Sequence, residues 1–201
     1  MNPAKIGAGV ALLALLFMAP EGEEAVVLAQ GLGAGTPRQE VIRWTAHDLT
    51  RDWPQRPRTL VQAMLEKYGE PSLMDEDALL WLHNGPWRRT TVYRTALYHV
   101  SDRPDQDYLL QTIGYDVPAD KVAELKLFDK RIEIDPVLGE LSACSDSESS
   151  NNLVLNLADE IVRGVRSLSD ARRFHETTLG LAAAGKSSPY LESLLMKTPY
   201  H

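Results

Sequence analysis

The chain has 201 residues, 44% hydrophobic and 24% charged, enough to bury the core of one ordinary domain. A formal net charge of −7 lacks the basic footprint of non-specific nucleic-acid binding, so no nucleic-acid partner is expected. The only cysteine, Cys144, excludes an intramolecular disulfide and a zinc site built from three or four thiolates.

Residues 6–18, IGAGVALLALLFM, form an uncharged run behind Lys5. The run is shorter than the roughly 20 apolar residues of a membrane span and suits the central region of a secretory signal. Val27 and Ala29 place small residues three and one before Gln30, so the expected signal peptide is residues 1–29. The acidic stretch EGEE at residues 21–24 makes its last part long and charged. The alternatives are an uncleaved anchor in the inner membrane, or a misassigned start codon. No cysteine follows the run, so no lipid anchor is expected. The chain is therefore expected to be exported, in the periplasm or secreted, with membrane contact only through this segment if it is uncleaved. Residues 30–37 read as a flexible leader and residues 38–201 as a single globular domain.

Thr36, Pro37 and Gln39 predict a helix start, with Val41, Ile42, Thr45 and Leu49 on one face and an end before Trp53-Pro54. Thr59 and Gln62 predict a second helix carrying Leu60, Val61, Met64, Leu65 and Tyr68 on one face and ending at Gly69. Residues 78–83 and 87–94 read as strands of a hairpin, turned by Asn84-Gly85-Pro86. A further strand is expected over residues 108–117, then a helix from Pro118 bearing Val122, Leu125 and Phe128. Residues 131–135 and 140–144 predict a second hairpin. A helix over residues 148–165 sets Val154, Leu157, Ala158, Ile161, Val162 and Val165 on one side, with Asn152, Asn156, Asp159 and Arg163 opposite. A last helix is expected from Ser167 to Ala184, capped by Gly185. The predicted fold is α+β, a small antiparallel sheet packed against several helices.

The most distinctive stretch is residues 81–94, WLHNGPWRRTTVYR. Alternation puts Trp87, Arg89, Thr91 and Tyr93 on one face and Arg88, Thr90, Val92 and Arg94 on the other. Read functionally, Trp87, Arg88, Arg89 and Arg94, with His83 nearby, form a patch for a small anionic ligand, because guanidinium forks grip carboxylate or phosphate. Read structurally, the tryptophans pack on the core and the arginine stems cover apolar surface. No glycine-rich phosphate loop is present, and no cofactor is expected.

Cys144 precedes a helix start, where a thiol can become nucleophilic, yet Cys144-Ser145-Asp146 is no cysteine-hydrolase signature and the residue reads as a partly buried cysteine. His175 falls on the apolar face of the last helix and reads as a core-edge histidine; no second histidine stands at the spacing of a helical zinc pair. His47, His83, His99 and His201 are scattered. Asn152, Asn156, Asp159 and Glu160 could ligate a hard cation but read as the wet side of an amphipathic helix, so no metal site is expected. Asp75, Glu76 and Asp77 read as a solvated loop. No catalytic residue can be assigned.

The segments KYGEPS, LLWLHNGPWRRTTVYR and NNLVLNLADEIVRG together resemble an uncharacterised family of small bacterial proteins carrying an NGPW-basic-basic-Thr hairpin. That resemblance implies no activity and no catalytic residues. The order of helix, Tyr-Gly-x-Pro and Trp-bearing strand is also similar to small accessory lipoproteins of outer-membrane assembly, although this chain lacks their lipid-acceptor cysteine. The expected function is a non-enzymatic binding or scaffolding module of the bacterial cell envelope, with an envelope protein or a small anionic ligand as partner. Two alternatives stand beside it: a hydrolase-type enzyme with its site near His83 and Cys144, and an anion binder using the hairpin arginines.

Overall fold

The computed structural model describes residues 44–97 and 107–196. The expected signal segment, the leader, the first part of the first predicted helix, His99 and His201 lie outside the described residues. The chain divides after Val41, and every described residue belongs to the second unit.

The fold is α+β. Six strands form one antiparallel sheet: β1 (Leu73–Met74), β2 (Ala78–Asn84), β3 (Trp87–Tyr93), β4 (Leu109–Gly114), β5 (Ile132–Asp135) and β6 (Glu140–Ser145). Their order across the sheet is β1-β2-β3-β4-β6-β5. The helices are α1 (Ala46–Thr50), α2 (Gln55–Tyr68), α3 (Val122–Phe128), α4 (Glu148–Val162), α5 (Leu168–Ala183) and α6 (Pro189–Glu192).

The β2–β3 hairpin forms as the sequence predicts. Asn84 pairs with Trp87 across a two-residue loop, and Gly85 takes the positive φ (62°) that such loops favour. The second predicted hairpin is β5–β6, with Asp135 opposite Glu140 and its carboxylate accepting from the Val137 and Leu138 amides in the turn.

Three helix starts differ from expectation; one is α3, which begins at Val122 and not at Pro118. Thr45, placed on a helix face by its spacing, is instead the N-cap of α1, in a capping box with Asp48. Threonine's preference for a cap outweighs its place in the apolar spacing. The second helix begins at Gln55, not Thr59. Pro57 is tolerated in its first turn, where backbone N–H groups have no intrahelical partner. The Thr59 hydroxyl therefore donates to the Gln55 carbonyl inside the helix. Strand β1 and helix α6 were not anticipated, being too short to leave a periodic signal.

One sheet face takes all the helical packing. Leu79, Trp81, Val92 and Leu109 meet α1 and α2 through Ala46, Trp53, Val61 and Met64. Trp87, Ile113, Ile132, Leu141 and Ala143 meet α3, α4 and α5 through Leu125, Val154, Leu155, Ala158, Ile161 and Ala171. Helix α4 is buried almost all round, so its asparagines are not on a wet side: Asn151, Asn152, Asn156 and Asp159 are all buried. Val165, expected on the apolar side, lies beyond the helix and is exposed. The helix stops at Val162, and Gly164 follows with a positive φ of 68°.

Candidate functional site

The sheet face opposite the helices carries two of the three sequence-predicted arginines, Arg88 and Arg89. Strict alternation would send Trp87 to the same face as Arg89, yet Trp87 is buried on the helix side and its indole N–H donates to the Tyr68 hydroxyl. The reason lies at the end of the hairpin. Leu82 pairs with Arg89 and Asn84 with Trp87, but the intervening His83–Arg88 pair is missing from the ladder, and His83 has φ 50°. This break shifts the alternation by one residue and leaves Arg88 beside Arg89 on the helix-free face.

Both guanidiniums converge on Glu140, a carboxylate only 6% exposed. Arg89 grips it with two nitrogens, at 3.1 and 2.7 Å, in the fork geometry that suits arginine. Arg88 lies 3.6 Å from the same carboxylate and donates to the Leu138 carbonyl. The approach requires Gly114: a Cβ there would sit 2.6 to 2.8 Å from the Arg88 guanidinium. Two arginines singled out as an anion grip are thus engaged by the chain's own carboxylate. Arg94 does not join them. It sits just past β3, its amide bonded to the Asp77 carbonyl, five residues from Arg89 and so about 17 Å along the strand.

Cys144 lies inside β6 rather than at its end, in the row Leu80, Thr91, Leu110, Cys144. It is 1% exposed, and burial, together with the charges of Asp107 and Glu133, pushes its thiol well above the ordinary range. Exposed His83 is three strands away, about 14 Å in the pairing direction, and three residues further along β2. Thiol, imidazole and arginines are not brought together. His175, on α5, meets the ring edge of Phe128, and burial holds its imidazole below the ordinary value.

Two features escaped the sequence reading. The first is a polar seam between the two apolar clusters. Glu148, at the first turn of α4, accepts from the Tyr68 hydroxyl (3.0 Å to each oxygen), the Gln111 amide (3.0 Å) and Lys67 (2.5 Å). Gln111 in turn accepts from Asn151, whose amide also reaches the Leu109 carbonyl. Burial first, and then the Glu148 charge, raise the Tyr68 phenol above its ordinary range. The available signal was Gln111 itself, a polar residue at an inward strand position.

The second feature is an open cleft of about 490 Å³ lined by Gln55, Arg56, Thr59, Leu60, Tyr108 and Asp146. It can admit a small polar molecule. Its one hydroxyl on a helix, Thr59, is already engaged by the Gln55 carbonyl. Among the described residues no group of histidine, cysteine, aspartate and glutamate side chains could hold a metal ion. No described helix is long and apolar enough to cross a membrane. Comparison with family models, characterised proteins and solved structures returns no match.

Proposed function

We propose that the protein is a non-enzymatic, exported binding or scaffolding module of the cell envelope, and that it contacts a partner protein through the helix-free face of its sheet. The observation that carries this reading is the division of labour between the two faces. The described helices lie on one side of the sheet, while the other face exposes Leu73 and Leu82, with half-buried Leu80 between them, beside the Arg89–Glu140 pair. A cluster of exposed apolar side chains rimmed by charge is characteristic of protein contact surfaces. The groups that could have carried chemistry serve structure instead: Cys144 is sealed in the sheet and two arginines neutralise Glu140. The export address rests on the leading apolar run at residues 6–18.

A photo-crosslinking residue at Leu82, in the full chain expressed in its native cells, tests the reading. A discrete adduct in the envelope fraction is expected from Leu82 and not from exposed Val137 in the β5–β6 turn. Equal labelling from both positions, or recovery of the chain in the cytosol with Met1 intact, would overturn it.

A further inference from the structure

Helix α4 holds the chain's own last described segment, residues 188–196, almost wholly by its backbone. The Asn156 amide donates to the carbonyls of Tyr190 (3.2 Å) and Ser193 (2.8 Å), and its oxygen accepts from the Leu195 amide (2.7 Å). Asn152, one turn earlier, donates to the Leu191 carbonyl at 3.2 Å. Side-chain anchoring is confined to few positions. The Tyr190 hydroxyl meets Glu160 and its ring meets Phe174 at 4.8 Å, while Leu194 and Met196 pack on the larger core cluster.

The resident segment fits this groove incompletely. The side-chain oxygen of Asn152 is buried, in a residue 3% exposed, with no hydrogen-bond partner. The cause is the turn of α6. The Leu191 and Ser193 amides donate within the segment, to Ser188 and Pro189, so neither is available to Asn152. An extended chain would not have this defect, because its N–H and C=O groups point outward along its length. The spacing fits too. Asn152 and Asn156 stand about 6 Å apart along the helix, and an extended chain repeats every two residues, in about 6.6 Å.

We infer that the Asn152–Asn156 face of α4 is a binding groove for an extended peptide segment of a partner protein, and that residues 188–196 are its resident competitor. Recognition is directed at the main chain, with one aromatic and one or two aliphatic anchors. A tail exchanged from a second copy is the poorer occupant, since it carries the same α6 turn and leaves Asn152 equally unsatisfied. This groove lies on the helical side of the fold, so the inference does not depend on the role of the sheet face.

The test uses fluorescence anisotropy with two labelled nonapeptides and the full chain. One probe is the resident sequence, SPYLESLLM; the other carries Pro189→Ser, Leu191→Val and Glu192→Thr, which disfavour the turn. Tyr190→Ala in the protein loosens the resident segment, and Tyr190→Phe is the milder variant should the first fail to fold by circular dichroism. Displacing a resident competitor lowers apparent affinity by the fraction of grooves that are open, so the loosened chain is expected to bind the turn-free probe about ten-fold tighter than the unaltered chain does. Adding Asn152→Ala should then weaken the resident probe by about five-fold, through loss of its hydrogen bond at Leu191, and the turn-free probe by about twenty-five-fold, because that probe loses a second bond as well. Three results would overturn the inference: a folded loosened chain that binds neither probe, an Asn152→Ala effect equal on both, or a concentration-dependent dimer of the loosened chain in light scattering.

Discussion

His175 shows how burial can dominate the behaviour of a single side chain. One of its ring nitrogens, Nε2, is buried without a partner, and its ring lies perpendicular to that of Phe128 at 6.3 Å between centroids. Burial is the largest influence on the imidazole and lowers its pKa; the Arg131 charge acts the same way, while Asp129 and Glu176 oppose them. The unfolded chain therefore binds a proton here more readily than the folded one, near the ordinary value of about 6.5. The stability contributed by neutral His175 is complete above that pH and is lost as pH falls through it. Asp129 does not confuse this window. Burial raises its carboxyl, but the Arg131 hydrogen bonds and charge outweigh burial and hold it below the ordinary aspartate range. Its contribution disappears only below about pH 4. His175→Leu should thus flatten the decline in urea midpoint between pH 7.5 and 5.5. An unchanged slope would place the titrating group elsewhere.

At the scale of elements, the hairpins and the long helices were legible because each carries a strong local signal: a turn glycine, alternation, or an apolar stripe. Helix α4 was legible as a helix and misread as to its surroundings. On a helical wheel, asparagine opposite a run of leucine and valine looks solvated, because periodicity registers only polarity. What buries Asn151, Asn152 and Asn156 are partners 34 to 42 residues away in the chain, which no local pattern can reveal. The shift of Trp87 to the helix face was hidden for the same reason, since it depends on a ladder position that fails to pair. Asn151 makes the cost of such placement measurable. It joins α4 to β4 through the Leu109 carbonyl and Gln111, and to the end of β6 by accepting from the Ser145 hydroxyl. Asn151→Leu keeps the volume but leaves buried polar atoms of Gln111 and Leu109 unpaired, each worth about 1–3 kcal/mol. A loss of about 3 kcal/mol in urea unfolding is expected. A loss below about 1 kcal/mol would mean that the seam re-pairs without it.

At the scale of the whole described fold, the sheet connects the two core clusters, and Cys144 sits on β6, one strand in from the edge. The thiol lies in a row running from β2 to β6, flanked in the ladder by Leu110 on β4. Reagents attack the thiolate, and two barriers stand before it here: burial excludes the reagent, and the raised thiol pKa suppresses the anion. Strands β4 and β5 pair with β6 on both sides and hold the Cys144 backbone in the sheet. The expected route to exposure is loss of the sheet, which in a domain of this size coincides with global unfolding. Native-state stabilities of at least about 5 kcal/mol correspond to an open fraction below about one in a thousand. Labelling by an aromatic disulfide reagent at pH 8 should then be slower than for the urea-unfolded chain by about a thousand-fold or more, and the residual rate should rise with urea in step with the loss of circular dichroism. If labelling were fast in the absence of urea, the thiol would be reachable from the helix-free face. The reading of that face as a contact surface without chemistry of its own would then have to be given up.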